Sequence, residues 1–60
     1  MNIEFHFANT SALQRFLHAK MWSFSGPKKF YDWLEGFADT GVFIDSIGGV
    51  LDYKDLCDLV

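Results

Sequence analysis

The best-patterned stretch of the chain is Gly26 to Asp39, GPKKFYDWLEGFAD. At 100° per residue, Phe30, Trp33, Leu34 and Phe37 fall on one stripe, while Asp32, Glu35 and Asp39 lie on the opposite side. An amphipathic helix is predicted there, with one face for a core and one for water or a partner. Ser25 or Gly26 can cap it, Pro27 suits its first position, and Thr40-Gly41 stops it after Asp39.

Upstream, Ile3, Phe5 and Phe7 alternate with Glu4 and His6, which predicts a strand over residues 2–7 with His6 on its open face. Asn9, Thr10 and Ser11 all offer helix caps, and Ser11 with Gln14 fits a capping box. A first helix is therefore expected from about Ala12 to Lys20. Leu13, Phe16 and Leu17 point inward, Lys20 lays its stem along them, and Gln14, Arg15 and His18 point outward. The link Met21 to Gly26 is short and aromatic.

Downstream, Val42, Phe43 and Ile44 begin a second strand running to about Ile47, and Gly48-Gly49 is expected to turn. A two-residue turn there would set Asp45 opposite Asp52, where like charges repel, so a third strand at Val50-Leu51 is at most short. Asp52 can cap a final helix from Tyr53 onward, with Tyr53, Leu56 and Val60 inward and Asp55 near the favourable end of the dipole. The fold expected is a small α+β two-layer domain of order β-α-α-β-(β)-α, with two or three strands and the helices on one face.

Sixty residues make a single small globular domain over 1–60. A chain of that length buries only about 60% of the surface its unfolded form exposes, which disfavours a deep active site. Hydrophobic residues are 50% and charged residues 22%, a globular balance, and aromatics reach 18%, more large rings than so small a body hides easily. Cys57 is the only cysteine, no run approaches a membrane span, and the N-terminus lacks a signal-peptide pattern. A soluble, cytoplasmic protein is expected, with no membrane partner.

The net charge of −3 hides a polarity. Residues 1–29 carry Arg15, Lys20, Lys28 and Lys29 against Glu4, a net +3, whereas residues 30–60 carry seven acids against Lys54, a net −6. The acidic half attracts basic protein surfaces and opposes direct nucleic-acid binding.

Little points to catalysis or cofactors. His6, His18 and Cys57 have no zinc spacing, Gly48-Gly49 is no phosphate loop, and Cys57 lacks a nucleophile signature. Asp32 and Glu35 sit about one turn apart, but opposite the apolar stripe they stay hydrated, whereas acid–base work needs one of them desolvated. The chain is read as a non-enzyme with no metal and no cofactor.

Charge placement on the second helix favours a binding role. Lys28 and Lys29 begin it and Asp39 ends it, the reverse of what the macrodipole favours, so helix stability does not account for them. In size, acidity and aromatic content the chain is similar to small phage-encoded proteins that block host nucleases, including CRISPR and restriction inhibitors. That resemblance of character implies a stoichiometric inhibitor of a larger protein or ribonucleoprotein complex, in which Asp32, Glu35 and Asp39 stand where DNA phosphates would be and Trp22 and Phe24 anchor. The alternative is an assembly subunit or homodimer that uses the same aromatics.

Overall fold

The computed structural model describes residues 3–60, so Asn2, the first residue of the expected strand, lies outside the described residues. Its elements are β1 (Phe5–Phe7), α1 (Thr10–Trp22), α2 (Pro27–Thr40), β2 (Val42–Ile44), β3 (Gly49–Leu51) and α3 (Tyr53–Leu59). This is the expected α+β order, with the third strand formed.

The sheet runs β1-β2-β3. β1 and β2 are parallel, with Phe5 beside Val42 and Phe7 beside Ile44, while β2 and β3 are antiparallel, with Val42 beside Leu51 and Ile44 beside Gly49. A parallel pair needs a long crossover, and the α1–α2 hairpin supplies it. Backbone bonds close the pair at both ends: the Phe5 N–H donates to Gly41 O and the Asp45 N–H to Phe7 O, each at 2.9 Å.

Side chains alternate across the sheet. Val42 and Ile44 point under the helices and are fully buried with Leu13, Leu17, Phe30, Leu34 and Leu56, while Phe37 completes the core. Phe5 and Phe7 pack against this cluster, whereas His6 and Val50 are exposed on the other face beside Phe43. Of the predicted inner stripe of the second helix, Phe30, Leu34 and Phe37 are core, while Trp33 is half-buried and packs against them.

Several boundaries differ from the sequence expectation for local reasons. Asn9, not Ser11, caps α1: its backbone is extended and its side-chain oxygen accepts the Ala12 N–H at 2.9 Å, so the first of three eligible caps is used. The helix then continues through Met21 and Trp22 until Ser23 closes it, donating N–H and hydroxyl to Lys20 O. The link shortens to Ser23–Gly26, and Trp22 belongs to a helix end rather than a loop. Phe16 is not inside but 36% exposed at the rim, its ring against Phe7, Trp33 and Phe37.

The hairpin also turns earlier. β2 ends at Ile44, and Asp45–Gly48 form a four-residue turn in which the Gly48 N–H donates to Ile44 O at 2.8 Å and Gly48 takes φ +67°. Gly49 becomes a strand residue opposite Ile44, which leaves Asp45 in the turn and removes the repulsion with Asp52. Asp52 does cap α3, in a reciprocal box with Asp55, although Tyr53 is 38% exposed rather than inward. The Gln14 side chain donates to Leu59 O at 2.9 Å and ties α1 to the end of α3.

Candidate functional site

Asp32, Glu35 and Asp39 are all exposed on the outer face of α2, because Phe30, Leu34 and Phe37 hold the inner face in the core. The three carboxylates project within about 60° of one another, and the first and last are about 10 Å apart along the axis. None of them has an ion-pair or side-chain hydrogen-bond partner among the described residues, although Lys28 stands one turn before Asp32. They are free to meet external charge.

The strip continues onto the sheet. Asp39 and Glu4 line the same open hollow of about 540 Å³, together with Ala38, Thr40, Gly41, Phe43 and Val50. Two carboxylates thus stand beside the apolar surface of Phe43 and Val50. Lysine and arginine have that amphipathic form themselves, a hydrocarbon stem behind a cationic head. Glu4 is not legible in this role from local pattern, because only the parallel register of β1 and β2 brings it to the end of α2.

On the same sheet face, His6 stacks on Phe43 with centroids 4.8 Å apart and planes 10° apart. Its Nδ1 is 3.3 Å from Asp45 Oδ1 and its Nε2 is 3.8 Å from Glu4 Oε1. The two carboxylates face opposite ring nitrogens, so they bracket the imidazole rather than converge on a common ligand.

The two predicted aromatic anchors separate. Trp22 is 85% exposed at the end of α1, whereas Phe24 is half-buried, its ring 6.2 Å from Phe30 and 6.0 Å from Trp33. Both border an open depression of about 300 Å³ with Met21, Ser25, Gly26 and Pro27. Cations lie near it: Lys20 Nζ is 5.9 Å from the Phe24 centroid and 5.3 Å from that of Trp33, and exposed Lys28 and Lys29 follow Pro27 in the first turn of α2. The aromatic corner and the acidic strip are therefore chemically distinct surfaces.

Among the described residues, no polar or charged side chain is buried, and no three His, Cys, Asp or Glu side chains gather as a metal site. No described helix is long and apolar enough to cross a membrane. No family model matches the chain, and no curated protein or solved structure is detectably similar to it.

Proposed function

We propose that the protein acts without catalysis, as a small interaction module that seats basic side chains of a larger partner on its acidic surface. The observation that carries this reading is the hollow in which Asp39 and Glu4 adjoin the apolar surface of Phe43 and Val50. An arginine or lysine entering it lays its stem on the apolar residues and its head against the carboxylates, while Asp32 and Glu35 extend the negative field along α2. Surfaces rich in such cations are those that hold nucleic acid. Occupying one with carboxylates in place of phosphates would make the protein a stoichiometric inhibitor of a nucleic-acid-binding protein or ribonucleoprotein, the phage-type anti-CRISPR or anti-restriction role.

The test compares wild type with a Glu4→Gln, Asp39→Asn variant and an Asp32→Asn, Glu35→Gln variant as baits in host lysate, followed by salt titrations against each captured protein. Nucleic-acid-binding proteins should be retained by wild type, lost by the first variant and weakened by the second, with a shallower salt slope for both. Identical capture by all three baits would sink the reading. An assembly role is the second reading, favoured by the bare sheet face on which Val50 is 60% exposed. A salt-insensitive dimer in light scattering, broken by Val50→Lys, would select it.

A further inference from the structure

The corner between α1 and α2 has the opposite charge from the surface just assigned. From Phe5 to Tyr31 the sequence contains Arg15, Lys20, Lys28 and Lys29 and not one Asp or Glu. At this corner the chain also exposes its most accessible large apolar side chain among the described residues, Trp22, beside the depression formed with Met21, Phe24 and Pro27.

We infer that this corner is a peripheral docking tip for an anionic lipid surface, a role independent of the acidic-face reading and contrary to the sequence expectation of no membrane partner, which rests on the lack of a spanning segment. Trp22 is an amphipathic ring suited to the headgroup boundary, Met21, Phe24 and Pro27 add apolar area behind it, and Lys28 and Lys29 are placed to meet lipid phosphates. The net charge does not prevent this. Asp39 lies about 16 Å along α2 from Lys28, beyond a Debye length of about 8 Å, and is largely screened when the corner approaches first, whereas Asp32, about 6 Å along the axis from Lys28 on the same helix face, opposes that lysine and leaves Lys29 the less offset of the two.

Other occupants fit less well. A two-fold contact with a second copy through this corner would bring Lys28 and Lys29 of both chains together. A single nucleic-acid strand needs a series of stacking rings, and here Trp22 alone is free, because Phe24 and Trp33 pack against each other with Lys20 over both.

The experiment is flotation of the full chain with vesicles of phosphatidylcholine, alone or mixed with phosphatidylglycerol. Binding is expected only to the mixed vesicles and should disappear at high salt. Lys28→Gln and Lys29→Gln should each weaken it about fivefold, and Trp22→Ala at least as much with an unchanged circular dichroism spectrum. In a Trp33→Phe variant, mixed vesicles should shift Trp22 emission to the blue; if that variant misfolds, the wild-type minus Trp22→Ala difference spectrum gives the same reading. Asp32→Asn with Asp39→Asn should not weaken vesicle binding, which separates this result from failure of the acidic-face reading. Equal binding to neutral and anionic vesicles, no binding to either, or Trp22-dependent binding of a single-stranded oligonucleotide without vesicle binding would each overturn the proposal.

Discussion

Trp33 lies nearly parallel to Phe37 one turn away on α2, with ring centroids 4.8 Å apart and planes 13° apart. Phe37 also meets Phe5 of β1 at 4.9 Å and Phe16 of α1 at 5.6 Å. A single ring thus joins three elements. Phe37→Ala should cost about 3–5 kcal/mol, and a core of this size rarely supplies more than about 3–5 kcal/mol of net stability. The variant should be largely unfolded by circular dichroism at room temperature. A wild-type urea midpoint would show that the cluster is not what holds these elements together.

Much of the architecture follows from short-range pattern, and the exceptions have identifiable causes. Phe30, Leu34 and Phe37 were legible because one helix period separates them from the carboxylates. The start of α1 was not, because Asn9, Thr10 and Ser11 are chemically equivalent caps. The early turn is not legible because Gly48-Gly49 fits a two-residue hairpin as well as the end of a longer turn, and only pairing of Gly49 with Ile44 distinguishes them. Glu4 and Asp39 are distant in sequence, so their shared hollow depends on a parallel register that alternation cannot specify.

Two glycines should respond to alanine with opposite signs. Gly36 lies within α2, exposed, with nothing within 4 Å of an added Cβ, so Gly36→Ala should stabilise by about 0.5–1 kcal/mol. Gly41 links α2 to β2 at φ +102°, and an added Cβ would stand 3.4 Å from the Phe43 ring. Gly41→Ala should destabilise by more than about 1 kcal/mol. Thermal melts of the two variants check both signs together.

The acid limb of stability should depend on Asp52. The Asp55 N–H donates to its carboxylate and holds its pKa below the ordinary value. A group depressed in the folded state stabilises above its unfolded pKa and loses that contribution as pH falls through its folded pKa. Asp52→Asn should keep the cap but flatten this acid dependence, because asparagine caps comparably without titrating. Asp52→Ala should lower the melting temperature at neutral pH as well. Melting curves from neutral to strongly acidic pH distinguish the three proteins.

The two tryptophans should differ in their share of stability. With its side chain 85% exposed, Trp22→Ala should change unfolding free energy by no more than about 0.5 kcal/mol. Trp33→Ala should cost about 2 kcal/mol or more, because it removes the stack on Phe37 and the ring beneath Lys20. Urea titrations of the two variants provide the comparison.

The parallel pairing of β1 with β2 also sets an order of events in folding. Phe5 cannot find Val42 until both helices between them have been made and drawn together, so the first strand of the chain is the last to gain its neighbour. Until then β2 has an unpaired edge, and Phe5 and Phe7 have no core to enter. The β2–β3 hairpin, closed by a four-residue turn, can form early and wait. During synthesis β1 is therefore the adhesive part of the molecule, and its exposure ends only after Ile44 has been added.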